Sequence, residues 1–220
     1  TEGGEDKVES VDRMAIDLGL STEEAQELVS PGDRVLIRAP QKRLLGTRIT
    51  SPALDDRAGC AALIRCAQLL RDQTLSCGLT ILLSSREEAG GQGAQTGAYS
   101  LKPTEAIAVD VSFAAQPGVD PAKCGKLGGG PMIGMAPILN RPMTNRLMEL
   151  AKEHEIPYSM EIMGGETGTN ADEIAVSRTG VPTAMVSIPL RYMHTPVEVI
   201  DTQDVAYTAR LLAEYVKGVD

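Results

Sequence analysis

Two neighbouring glutamates, Glu87 and Glu88, follow the apolar run LTILLSS and precede a glycine-rich turn, in the stretch SSREEAGGQGA. Adjacent ionised carboxylates repel one another. The pair is therefore explained either by a solvated loop or by positive charge placed between its members. Other acids occupy comparable positions. Asp55 and Asp56 open the helical pattern DDRAGCAALIRCAQLLRDQ, Asp110 lies near the end of the apolar run IAVDV, and His194 closes VSIPLRYMH. Carboxylate oxygens with an imidazole form the ligand set of a divalent ion such as zinc, cobalt or manganese.

Each residue also has a plain structural explanation. Asp55 or Asp56 can cap the helix that they open. Glu87 and Glu88 can sit in solvent. An unpaired carboxylate in a buried strand is costly, yet an arginine partner or a bound proton satisfies Asp110. A lone histidine such as His194 is more often hydrogen-bonded than ligating, and His154, in AKEHEIP, reads as a solvated helix residue. The metal reading rests on the ensemble and its order along the chain. Two other motifs carry less: GKLGGGP lacks the GK[ST] of a phosphate loop, and no G-x-S-x-G elbow is present.

The elements that must position these residues alternate. STEEAQELVSPGD carries the capping box Ser21 and Glu24 and predicts a short helix ending at Pro31-Gly32. RVLIRAP (34–40), CGLTILLSS (77–85), EAIAVDV (105–111), YSMEIM and PTAMVSIP (182–189) predict strands, the second, third and last of them buried on both faces. LGGGPMIGMAP (127–137) predicts extended chain. Helices are predicted from Asp55, after GGQGA, over MTNRLMELAKEHE (143–155), in ADEIAVSRT and over residues 202–219. The pattern implies an α/β fold with a mixed, mostly parallel sheet and helices on both faces. In such sheets ligands bind beyond the carboxyl ends of strands, where the acids and His194 fall. Residues 1–10, TEGGEDKVES, predict a mobile lead-in.

Composition narrows the partners. The 220 residues suit one large domain, and 42% of them are hydrophobic, enough for a core built without Trp and with a single Phe. A net charge of −9 argues against nucleic acid and suits cation binding. No apolar run approaches the roughly 18–20 residues of a membrane span. Cys60, Cys66, Cys77 and Cys124 lack C-x-x-C spacing, so reduced thiols and a cytoplasmic location are expected.

Four stretches in this order, ALDDRAG (53–59), EEAGGQGA (87–94), AVDV (108–111) and GVPTAMVSIPLRYMHTPVEVID (180–201), resemble the glutamyl aminopeptidase family of two-metal aminopeptidases. That family includes tetrahedral archaeal aminopeptidases and proteins labelled endoglucanase or cellulase M. The resemblance implies a metallo-aminopeptidase-like fold, an expected homo-oligomer, and short peptides as substrate. By the same resemblance, Asp55 bridges two divalent ions, Glu87 is the general base, and Glu88, Asp110 and His194 are further ligands. Glu198 is read either as an acceptor orienting His194 or as an exposed acid.

Two departures qualify the resemblance. Relatives carry an earlier histidine, in a stretch like A-H-x-D-E, before an inserted barrel-like domain. This sequence has only His154 and His194. Residues 1–48 are accordingly read as a lead-in and the last piece of that insertion, and 49–220 as the C-terminal part of the catalytic domain. The Asp55–Glu88–His194 site is then complete, and the Asp55–Asp110 site is one ligand short. In GTNADEIAVSR, Asn170 stands where many relatives have an acid, unless Asp172 replaces it. Competing functions are an impaired fragment serving as a subunit or binding module, and a glycosidase. The adjacency of Glu87 and Glu88 and the scarcity of aromatics argue against the latter.

Overall fold

The computed structural model describes residues 10–219, so the lead-in expected over 1–10 lies, but for Ser10, outside the described residues. The chain forms two compact units, one ending at Ile37 and one beginning at Arg38. The first holds a 3-10 turn, Val11–Arg13, and helix α1, Thr22–Leu28. Ser21 Oγ accepts from Glu24 N while Glu24 Oε2 accepts from Ser21 N, which completes the predicted capping box. The strand expected over 34–40 does not form. Extended chain becomes a strand only where a neighbour takes up its N–H and C=O groups. Val35, Leu36 and Ile37 are instead exposed.

The second unit is built on a seven-stranded mixed sheet. Its strands are β1 (Lys42–Arg43), β2 (Arg48–Ser51), β3 (Ala106–Phe113), β4 (Met132–Met135), β5 (Ser159–Ile162), β6 (Thr183–Arg191) and β7 (Glu198–Asp201). The order is β1-β2-β7-β6-β4-β5, with β3 along the other edge of β6. Parallel pairing is confined to β3–β6 and β4–β5, and the remaining pairs are antiparallel. The β3–β6 ladder is in register from Ala106↔Thr183 to Phe113↔Leu190 and sets Asp110 opposite Ser187.

Alternation along β3 and β6 separates the two faces. Val111, Ala184, Val186, Ile188 and Leu190 join a core with helices α2 (Leu54–Leu70), α4 (Arg141–Glu153) and α6 (Thr202–Lys217). Ala108 and Met185 face the other way, against Ala171 of α5 (Asn170–Ala175), which packs beside α3 (Gln92–Leu101). Helices thus cover both faces, as the alternation of elements implied. No described helix is long and apolar enough to cross a membrane.

The apolar run 77–85 departs from expectation. It pairs with no strand among the described residues, and Leu79, Leu82 and Leu83 remain substantially exposed. Apolar composition specifies burial, not a ladder partner, and this segment finds no neighbouring strand among the described residues. Leu82 packs against Gly97 of α3, where an added Cβ would meet its side chain.

Candidate metal centre

Three chain segments bring acids and an imidazole together. The first is the entry to α2. Here Ala53 is left-handed (φ 53°), and Asp55 and Asp56 depart from helical dihedrals before the regular helix begins. The second is a 3-10 turn, Glu87–Ala89, entered through left-handed Arg86 (φ 61°) and left through Gly90 and Gly91. The third is the connection between β6 and β7, where His194 itself is left-handed (φ 61°). Non-glycine residues in this region cost about 1–3 kcal/mol each and collect where function fixes the backbone.

Glycine permits the second segment. Gly93 donates its N–H to Ser85 O (3.0 Å), and a Cβ on Gly93 would collide with the Ser85 backbone. The turn bearing both glutamates is thereby folded back onto the first turn of α3. Asn170 anchors the same stretch from α5, its Nδ2 donating to Ser84 Oγ (3.0 Å).

The three segments converge. His194 Nε2 lies 3.1 Å from Asp55 Oδ2 and 3.2 Å from Glu88 Oε2. One donor atom from each of Asp55, Glu88 and His194 falls within 4.8 Å of the others. Zinc-ligand bonds of about 2.0–2.2 Å in tetrahedral array separate neighbouring donors by about 3.4 Å. These three donors therefore fit around one divalent ion with little movement. Asp55 is nearly buried, whereas Glu88 and His194 are more than half exposed, so one side of the set stays open.

The electrostatics also favour a cation. Burial lifts the Asp55 carboxyl to about 6, Glu88 adding to the effect and His194 opposing it. Burial, with neighbouring Asp110 next in importance, lifts Asp56 to about 8. Asp110 is pushed to about 7 by burial, against the hydrogen bond from Val111 N. Glu87 is raised by burial and by Glu88. Five carboxylates, Asp55, Asp56, Glu87, Glu88 and Asp110, are thus crowded into a space where their charges oppose one another.

Not every anticipated residue enters the tight group. Asp110 stands outside the three-donor cluster, although it is close enough to feel Asp55, Glu87 and Glu88 electrostatically. Asp56 is no simple helix cap: its Oδ1 accepts from Gly59 N (2.8 Å), and it shares a buried environment with Asp110. Asp172, the alternative to Asn170, is engaged within its own loop, its oxygens accepting from Thr167 N, Thr167 Oγ1 and Gly168 N. Asn170 Oδ1 is a buried acceptor without a partner in the described structure. His154 lies elsewhere, 3.6 Å from Glu214 Oε2.

Glu198 is an acceptor and not an exposed acid. It is 2% exposed and accepts from backbone: Leu54 N at 2.6 Å, Asp55 N at 3.2 Å and His194 N at 2.9 Å. Its position in HTPVE was the only signal in the sequence, because the Leu54 and Asp55 amides are far away along the chain.

The family model for M42 glutamyl aminopeptidases matches residues 1–211. A lysyl aminopeptidase of Pyrococcus furiosus is 36% identical over 95% of this chain and 61% of its own length. An aminopeptidase from the archaeon Desulfurococcus kamchatkensis superposes with a TM-score of 0.81 at 31% identity, over 90% of this chain and 57% of that one. The TET1 peptidase of Pyrococcus horikoshii, described as assembling into a tetrahedron or a large octahedral shell, gives 0.71 at 27% identity, over 90% and 58%. The chain spans about three fifths of the length of these relatives. Acids and an imidazole gathered at one end of a mixed sheet, and a family match over nearly the whole sequence, lead to one assignment: the chain belongs to the M42 glutamyl aminopeptidase family.

Proposed function

We propose that this chain carries the chemistry of a metal-dependent aminopeptidase that releases N-terminal residues from short peptides. The observation that carries the reading is the convergence of Asp55, Glu88 and His194 donors beside Glu87. The aminopeptidase names of its relatives support it. Asp55, Glu88 and His194 would hold one divalent ion, and Asp55 with Asp110 would contribute to a second site that is one ligand short. Zinc or cobalt suits this donor set, with manganese a third choice.

When bound, the ions would acidify water and polarise the scissile carbonyl. Glu87 Oε takes the proton from the attacking water and passes it to the leaving amine. The acids around it attract the charged α-amino group of a peptide, which favours cleavage at the N-terminal end.

Residues 1–48 belong in this reading to the inserted domain and its lead-in, and 49–220 to the catalytic domain. The compact second unit already starts at Arg38, with β1 and β2 inside its sheet. A homo-oligomer is proposed on the strength of the assembling TET1 relative. The four cysteines are all unpaired thiols, which supports a cytoplasmic location.

The test is hydrolysis of aminoacyl-anilides by the purified 220-residue chain with added Zn²⁺, Co²⁺ or Mn²⁺, alongside metal analysis. Metal-dependent release of the amine, with one ion held tightly and another weakly, is expected. A chain that takes up no metal and releases no amine with any of the three contradicts the proposal.

A further inference from the structure

The β2–β7 ladder sets Ser51 opposite Glu198. Past Ser51 the chain turns through Pro52 and left-handed Ala53 into Leu54 and Asp55, and this brings the start of α2 over the Glu198 side chain. The β6–β7 connection brings His194 to the same carboxylate. The two ends of the carboxylate divide the work. Oε2 accepts from Leu54 N at 2.6 Å and Asp55 N at 3.2 Å, while Oε1 accepts from His194 N at 2.9 Å.

We infer that Glu198 is a positioning residue that fixes Asp55 and His194 in mutual register for metal binding, by holding the backbones of both segments on one buried carboxylate. The inference rests on the reading of Asp55, Glu88 and His194 as cation ligands.

Three physical points support it. First, the groups held are the main-chain amides of the two residues whose side chains meet at 3.1 Å. A shift of either backbone therefore moves a donor atom directly. Second, both held segments contain a left-handed non-glycine residue, Ala53 in one and His194 in the other. Such conformations persist only where surrounding bonds over-determine them. Third, three N–H groups from two separate segments converge on this one side chain. Only a carboxylate offers acceptors at both ends. A glutamine would turn its NH₂ toward one set of N–H donors and leave that set without an acceptor.

Partners that orient metal ligands typically contribute about 10–100-fold to metal affinity. A residue of purely structural importance destabilises the fold equally with and without metal. A positioning residue instead reduces the stabilisation that metal adds, because that increment follows the binding constant.

The test compares the full wild-type chain with Glu198→Gln, Glu198→Asp and Asp204→Asn. Melting temperature is measured in chelator and over graded Zn²⁺, and Zn²⁺ affinity by calorimetric titration. Asp204 is the control, because it is equally buried and also accepts backbone N–H groups, from Gly128 and Gly130, but touches neither ligand segment. Glu198→Gln is expected to lose about 10–100-fold in Zn²⁺ affinity and most of the metal-induced rise in melting temperature. Glu198→Asp, which keeps the charge on a shorter stem, is expected to fold and lose an intermediate amount. Asp204→Asn is expected to melt lower in both states with its metal increment unchanged. Wild-type affinity in Glu198→Asp, or an unchanged increment in a folded Glu198→Gln, overturns the inference while leaving the metal site standing. A wild-type chain whose melting temperature ignores Zn²⁺ overturns the metal site itself, and the positioning role with it.

Discussion

His194 Nε2 and Asp55 Oδ2 lie 3.1 Å apart, one presented from the β6–β7 connection and the other from the entry to α2. Asp55 is nearly buried and His194 largely exposed. An ion between them would be held from the protein side by a fixed carboxylate and from the solvent side by an imidazole. Glu88 closes the third side, 3.2 Å from the same nitrogen. Its neighbour Glu87 stands outside the three-donor group. Glu88 still raises the Glu87 pKa, and the proposed function divides the roles of the pair, Glu88 toward the ion and Glu87 toward the proton.

That division predicts unequal effects of two similar substitutions. Glu87→Gln is expected to leave metal content at the wild-type level and to lower kcat by about 10²–10⁴-fold, the usual contribution of a general base. Metal analysis and steady-state hydrolysis of an aminoacyl-anilide check it. Loss of metal in this variant would move Glu87 from base to ligand.

Glu88→Gln is expected to weaken Zn²⁺ binding without unfolding the chain. The Glu88 side chain is about 60% exposed, so the melting temperature in chelator should correspond to a change within about 0.5 kcal/mol of wild type. His194→Ala should behave in the same way, and Asp55→Asn should weaken Zn²⁺ binding most because both proposed ions share Asp55. Titration calorimetry ranks the three. Equal affinity in all of them and in wild type would remove these residues from the site.

The buried acids predict a pH dependence for the metal-free chain. Asp55, Asp56 and Asp110 titrate near 6, 8 and 7 in the fold, above the roughly 3.9 of an unfolded aspartate. The fold therefore favours their protonated forms. Their contribution is fully present below about pH 4 and is lost as pH rises through 6 to 8. Asp204, raised to about 6, acts in the same direction. Melting temperature in chelator should fall from pH 5 to 8, and Asp56→Asn, which stays neutral and can still accept from Gly59 N, should flatten the fall. A melting temperature that rises over this range would contradict the crowding of charge.

The glycine-rich stretch GKLGGGP is explained by packing. Gly130 has φ 83°, donates its N–H to Asp204 Oδ1 (2.8 Å), and lies so close to the Pro157 carbonyl that an added Cβ would overlap it. Gly130→Ala is expected to destabilise the chain by about 3 kcal/mol or more, through left-handed strain and steric overlap together. Urea unfolding measures it, and a loss below about 1 kcal/mol would mean that the loop moves aside freely.

Much of this was legible from residue pattern. The apolar runs of β3 and β6, the capping box of α1 and the amphipathic stripe of α4 each state their structure locally, and the fold agrees with them. Strands β1, β2 and β7, of two to four residues, carry too little pattern to be read alone. Residues 34–40 and 77–85 have the composition of strands, but pairing depends on a neighbour that composition does not name. The acids at strand and helix ends were visible as a set. The clamp of Glu198 on Leu54, Asp55 and His194 was not, because backbone amides leave no trace in side-chain chemistry.

The central claim is that Asp55, Glu88 and His194 hold a divalent ion. Anomalous diffraction at the zinc edge from crystals of the full chain grown with Zn²⁺ tests it most directly. The account predicts a peak about 2.0–2.2 Å from one oxygen of Asp55, one oxygen of Glu88 and a ring nitrogen of His194. A map without a peak there, or with zinc bound only at other residues, would contradict it.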